Sequence, residues 1–276
     1  MLEFTVNQTL CTRCGECVAD CPARIITMAA ESLPAIAAER EAACYRCQHC
    51  LMICPYGAIS ILGVKPSSCR PLAGSFPDPE RLEALIRGRR SIRRYKPENL
   101  DPQLIQRLLD VAWQAPTGKN ERSVLFTVVD DREKLSRLRH EVMEALGEMA
   151  RGQRFPRGME FFGHFVTLWE EKGADILFRD APHLLIASAP CEGASPVPDC
   201  LIALSYFELF AQANGVGTVW NGLTTWALFD ILPGMRQRLG IPDSHTIGYG
   251  MSFGKPAVRF ARTVQHGPAR VNRVAL

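Results

Sequence analysis

The sequence lacks the markers of several large classes of protein. Across 276 residues the formal net charge is only +3, too weak a field to argue for nucleic acid or an anionic membrane as a partner. No apolar run is long enough to cross a bilayer. The longest candidate, Cys200 to Trp220, carries Glu208, Gln212 and Asn214, with Gly215 following the asparagine; it reads as a buried helix with a glycine stop. The N-terminus, Met-Leu-Glu-Phe-Thr, has neither a basic n-region nor an apolar h-region, so no secretory signal is expected and a reducing, cytoplasmic setting is. Gly-x-Ser-x-Gly is absent, which argues against a hydrolase nucleophile elbow. Gly215 and Gly217 begin a dinucleotide fingerprint, but Trp220 stands where its third glycine belongs. Gly254-Lys255 lacks both the spacing and the following Ser/Thr of a Walker sequence. His140, His164, His183, His245 and His266 have no spacing that suggests a metal site. There is no low-complexity tract.

What the chain does have is cysteine, eleven in all. Eight fall in two runs: Cys11, Cys14, Cys17, Cys21 before Pro22, and Cys44, Cys47, Cys50, Cys54 before Pro55. Each reads C-x2-C-x2-C-x3-C-P, the spacing in which three cysteines hold one [4Fe–4S] cluster and the fourth crosses to the other. The spacing therefore predicts two clusters, one on Cys11, Cys14, Cys17 and Cys54, the other on Cys44, Cys47, Cys50 and Cys21. A disulfide framework would need an oxidising compartment. Structural zinc takes four ligands, usually as two separated pairs, which these tight runs do not resemble. His49, between cluster cysteines, is expected to pack or tune. Cys69, Cys191 and Cys200 lie outside the runs and are expected to be small buried hydrophobes.

The two runs repeat 33 positions apart, in similar surroundings. Each is expected to form a cluster loop, a short helix begun by the proline, and a β segment. Residues 1–64 resemble the two-cluster bacterial ferredoxins, whose small core needs its metal sites. Residues 65–79, with four prolines plus serine and glycine, are expected to be an extended linker. Residues 80–276 read as the second domain. Asp78 and Asp101, each before a proline, are expected helix caps. Strands are expected over 123–129, 183–189, 216–219 and 245–252, with helices over 132–150 and 199–214. The last of these is apolar nearly all round and so calls for a cover such as a second subunit. Alternating helices and strands give an α/β or α+β layer architecture.

Residues 87–96, Arg-Gly-Arg-Arg-Ser-Ile-Arg-Arg-Tyr-Lys, hold six basic groups and no acid. A solvated charge run usually mixes in acids, and nucleic-acid patches interleave aromatics. Arginine forks and a serine hydroxyl suit a phosphate.

The stretch Gly88–Tyr95 resembles the opening motif of the nitroreductase family of FMN flavoproteins. Ala115-Pro116-Thr117-Gly118-Lys119-Asn120 is similar to that family's AP(S/T)xxN loop, Gly215-Val216-Gly217-Thr218 to its Gly-x-Gly-Thr turn, and Gly254–Arg262 to its closing segment. The ordered set covers about residues 80–270. The resemblance implies an α+β chain: a ferredoxin-like two-cluster domain, then an α/β nitroreductase-like fold with a central sheet flanked by helices. It implies that Arg89, Arg90, Ser91 and Arg93 hold the FMN phosphate and ribityl chain, and that Arg262 and Arg259 close on the phosphate. Thr117 and Asn120 would approach the ring, and the backbone at Gly222 and Leu223 would lie near its reactive N5 edge. The catalytic centre is then the flavin itself, with no side-chain acid assigned. The family is homodimeric.

The chain departs from the family where Glu121, Arg122 and Ser123 follow the loop asparagine and where Lys255 replaces a usual tyrosine. Arg122 either takes the place of a family glutamine or favours an acidic substrate. Residues 151–179, rich in phenylalanine, form either a lid or a helical pair on the core. The function implied is an FMN-dependent oxidoreductase. Electrons pass from an external ferredoxin or reductase through two [4Fe–4S] clusters to FMN, and on to a small nitroaromatic- or quinone-like acceptor. The competing reading is a relay to a partner protein with no small substrate of its own. Neither reading involves nucleic acid or a membrane.

Overall fold

A computed structural model describes residues 1–275. The chain forms two compact units, residues 1–77 with 119–121, and the remainder from Asp78.

The first unit is built on the internal repeat. Helices α1 (Glu16–Ala19) and α2 (His49–Ile53) each lie inside a cysteine run. Each starts from a left-handed residue, Gly15 at φ 79° and Gln48 at φ 61°. Strands β1 (Thr5–Val6) and β4 (Ile59–Ser60) pair antiparallel, as do β2 (Ile26–Thr27) and β3 (Ala35–Ile36). The helices expected after the prolines do not form. Pro22 and Pro55 instead open tight turns, closed by Arg24 N–H to the Cys21 carbonyl (2.9 Å) and Gly57 N–H to the Cys54 carbonyl (3.2 Å). Only three residues separate each proline from β2 or β4, too few for a helix and enough for a turn. The core is small: Leu2, Cys17, Ile25, Ile26, Cys50, Leu51, Ile59 and Ile61. Cysteine side chains thus supply part of it. The proline-rich segment, expected as a linker, holds a 3-10 turn at Pro66–Ser68 and belongs through Pro77 to this unit.

In the second unit, α3 (Pro79–Gly88) and α4 (Pro102–Ala112) begin where the Asp-Pro pairs indicate. The Asp78 carboxylate accepts from Glu80 N–H (2.9 Å) and the Asp101 carboxylate from Gln103 N–H (2.9 Å). Strands β5 (Leu125–Val129), β6 (His183–Pro190), β7 (Gly217–Trp220) and β8 (His245–Gly254) form one sheet in the order β5-β6-β8-β7, antiparallel throughout. Helices α5 (Arg132–Arg151), α6 (Phe162–Lys172), α7 (Pro196–Ala213) and α8 (Gly222–Trp226) flank it.

Alternation along β6 shows the layering, because successive strand side chains point to opposite faces. Leu185, Ala187 and Ala189 join a core with Leu108 of α4 and Leu204 and Phe207 of α7. Leu184 and Ile186 join a second core with Leu138 and Leu146 of α5 and Phe162 of α6. Both faces of the sheet are therefore covered. Phe162 and Val166 are buried in that second core, so α6 packs as a core helix. Among the described residues, no helix is long and apolar enough to cross a membrane.

Candidate functional site

The cysteines of the first unit line two cavities. One is lined by Cys11, Cys14, Cys17 and Cys54, the other by Cys21, Cys44, Cys47 and Cys50. Each quartet takes three sulfurs from one run and the fourth from the other. Burial, reinforced by neighbouring Cys14, pushes the Cys17 thiol up, and burial pushes Cys50 up to about 12. Thiolates there need compensating positive charge, which iron supplies. Backbone amides already face some of the sulfurs: Ala58 N–H donates to Cys54 Sγ (3.2 Å) and Arg46 N–H to Cys44 Sγ (3.3 Å). Among the described residues no three His, Cys, Asp or Glu side chains converge on a single metal ion. Four cysteines lining one cavity suit a polynuclear cluster. His49 Nδ1 lies 3.0 Å from Asp20 Oδ2, linking the two cysteine runs at the surface. Of the remaining cysteines, Cys200 is buried as expected, but Cys69 and Cys191 are exposed. Both sit in loops outside any apolar cluster.

In the second unit the basic run is docked against β7. Ser91 forms a parallel bridge to Thr218, and Ile92 N–H donates to the Thr218 carbonyl (2.8 Å). A Cβ on Gly217 would fall 2.8 Å from Ile92 Cβ, so only glycine admits this approach. Gly215, two residues earlier, serves differently: its φ of +71° makes the turn out of α7. Arg89 Nη1 donates to Glu208 Oε1 (2.9 Å). Arg90 and the exposed Arg93 make no hydrogen bond or ion pair among the described residues. The closing segment starts against the same run, through Lys96 N–H to the Lys255 carbonyl (2.8 Å) and Ala257 N–H to the Arg94 carbonyl (2.9 Å). Arg259 and Arg262 follow in exposed, irregular chain.

Thr117 Oγ1 accepts from Arg122 N–H (3.0 Å). The Arg122 guanidinium is turned onto the Trp113 ring (5.4 Å to its centroid) and donates to the Trp113 carbonyl. Asn120 belongs to the first unit, where its Nδ2 donates to the Tyr45 carbonyl (2.9 Å). Gly222 opens α8 behind a buried Asn221 cap, and Leu223 packs beside the second core. A Cβ on Gly222 would fall 2.6 Å from Tyr249 Oη, so the hydroxyl occupies the space that glycine leaves.

Three buried polar groups organise these pieces, and sequence reasoning gave none of them a role. Glu208 holds Arg89. Asp199, in the first turn of α7, accepts from Gly118 N–H through both carboxylate oxygens (3.0 and 3.2 Å). Asn221 Nδ2 donates to the Leu177 carbonyl (2.7 Å) and Ser252 Oγ (2.8 Å), while its Oδ1 accepts from Thr224 N–H (3.1 Å). The available signal was an acid inside an apolar helix, which is costly unless paired.

Comparison with known proteins agrees with this architecture. The nitroreductase family model matches residues 86–255, and a 4Fe-4S dicluster domain model matches residues 10–59. A protein of Methanothermobacter thermautotrophicus, provisionally named an NADH dehydrogenase/NAD(P)H nitroreductase, is 30% identical over 183 residues, 64% of this chain and 77% of that protein. Two solved structures share the fold, each covering 70% of this chain and 98% of its own, with a TM-score of 0.54. They are FMN-bound nitroreductases from Bacteroides fragilis (20% identical) and Desulfitobacterium hafniense (24% identical). The chain belongs to the nitroreductase family, as an oxidoreductase of that type with a 4Fe-4S dicluster domain ahead of it.

Proposed function

We propose that the chain is an iron–sulfur flavoprotein that takes electrons from an external ferredoxin or reductase through two [4Fe–4S] clusters and FMN, and reduces a small nitroaromatic- or quinone-like acceptor. The observation that carries this is the pair of cavities, each lined by four cysteines drawn three-and-one from the two runs, within a nitroreductase-family chain. When bound, the clusters supply single-electron transfer and FMN supplies the change from one-electron to two-electron chemistry.

The residues divide the remaining work. Cys11, Cys14, Cys17 and Cys54 would hold one cluster, and Cys21, Cys44, Cys47 and Cys50 the other. Arg89, Arg90, Ser91 and Arg93 would bind the FMN phosphate and ribityl chain. Charged forks free of intramolecular partners, as on Arg90, suit that task. Arg259 and Arg262 would close on the phosphate, since the backbone leading to them is already paired to the basic run at Arg94. Thr117 would lie toward the ring, whereas the Asn120 side chain is engaged within the first unit. At Gly222 and Leu223 the bare backbone at the start of α8 would face its reactive edge. A homodimer is supported by the apolar groups that α7 leaves exposed, Val197, Ile202 and Tyr206.

The donor separates two versions of this reading. The 4Fe-4S dicluster domain favours a protein donor, whereas the name of the Methanothermobacter relative points to NAD(P)H. Anaerobic stopped-flow reduction settles the point. Reduced ferredoxin is expected to reduce the flavin rapidly and NAD(P)H slowly, followed by quick reoxidation by nitro compounds or quinones. Rapid reduction by NAD(P)H would replace the donor. Slow reoxidation across a broad acceptor panel, with fast reoxidation by a partner protein, would favour the relay.

A further inference from the structure

We infer that Glu208 is a positioning residue that holds Arg89 in place to bind the flavin phosphate, an inference that rests on the FMN reading above. Glu208 is 7% exposed, on a mostly apolar helix beside Leu204, Phe207 and Ala211. A carboxylate in such surroundings persists only when paired and hydrogen-bonded. Its partners are Arg89 Nη1 at 2.9 Å and the Thr218 hydroxyl, which donates to Oε1 at 3.3 Å.

These partners belong to one assembly. Arg89 ends α3, its N–H donating to the Leu85 carbonyl (2.9 Å). Two residues on, the chain bridges to Thr218, whose carbonyl takes the Ile92 N–H. Thr218 therefore contacts Glu208 through its side chain and the basic run through its backbone. Helix α3, strand β7 and helix α7 all converge on this one carboxylate.

A guanidinium offers five N–H donors in a rigid plane. Glu208 engages Nη1, and among the described residues Nε and Nη2 have no partner. The carboxylate thus fixes the plane by one corner and leaves the other donors for an anion. An arginine held in this way loses less freedom on binding than a swinging side chain does. A buried ion pair is by itself weak support for stability, and an apolar residue would pack the helix as well. Retaining the acid under a cationic loop is explained by the need to aim Arg89.

The test compares FMN with riboflavin, which differs in lacking the phosphate. Full-length protein with its iron–sulfur centres intact is stripped of flavin and titrated with each. Wild type is expected to prefer FMN strongly. Glu208→Gln is expected to lose about tenfold or more of that preference, with riboflavin affinity unchanged. Glu208→Asp, which keeps the charge but draws it back by one methylene, should fall between. A Glu208→Gln protein that retains the wild-type FMN-to-riboflavin ratio would overturn the proposal. Should that variant not fold, Glu208→Asp decides alone, and a wild-type ratio there overturns it. A wild type with no preference for FMN would sink the parent phosphate assignment and this inference with it.

Discussion

Single residues carry sharp consequences where the backbone runs close to other atoms. Gly217 is such a place, because Ile92 occupies the space its side chain would need. Gly217→Ala should lower stability by about 2 kcal/mol through overpacking and weaken FMN binding, as the basic run is pushed off β7. Urea unfolding and FMN titration check both effects, and unchanged values in both would contradict the docking described. His183 gives a pH-dependent case. Burial holds its imidazole at about 4, below the ordinary 6.5, despite the opposing pull of Asp130 and Asp131. Its ring accepts the Leu100 N–H at Nε2 (3.0 Å) and so must stay neutral there. Between those pH values the unfolded chain binds a proton that the folded chain refuses. Stability is therefore full above about pH 6.5 and declines as pH falls toward 4, by about 2 kcal/mol at pH 5. His183→Gln lacks this titration. Comparing urea midpoints of the two proteins at pH 7 and pH 5 should show the wild type losing more, and parallel losses would refute the assignment.

At the scale of elements, the exchange of the fourth cysteine is the feature most open to test. Cys21 belongs by sequence to the first run, yet it lines the cavity of Cys44, Cys47 and Cys50. Cys21→Ser should therefore alter the signal of the cluster on the second run and spare the one on Cys11, Cys14 and Cys17. Electron paramagnetic resonance of the reduced protein, compared with Cys50→Ser, distinguishes them: the two variants should damage the same cluster. If Cys21→Ser instead matches Cys17→Ser, the exchange is wrong. The elements also show what a reader of the sequence can reach. Asp78 and Asp101 were legible as caps because the Asp-Pro pair encodes both the side-chain acceptor and the fixed φ of a first turn. The four strands of the second unit were legible to within two residues at their ends, whereas the two-residue strands β1 and β3 were not. The turns at Pro22 and Pro55 were not, because proline serves a turn as readily as a helix start. The pairing of Arg89 with Glu208 joins positions 119 apart, and no local pattern encodes it. The loops of Cys69 and Cys191 escaped for a related reason, since a cysteine's burial depends on what the fold lays over it.

At the scale of the whole molecule, the two units are expected to keep their cofactors independently. The cysteine quartets lie within one unit and the arginines of the basic run within the other. Changing Arg89 and Arg90 together to Gln should release most of the flavin and leave the iron and sulfide content unchanged. Loss of iron along with flavin would show that the units depend on one another. The central claim, iron–sulfur clusters and FMN in one chain, is tested most directly by cofactor analysis of anaerobically purified protein, read with its visible spectrum. About eight iron atoms, eight sulfides and one FMN per chain are expected, with broad brown absorption under the flavin bands. A colourless protein that contains neither iron nor flavin, and that takes up neither on reconstitution, would contradict the account.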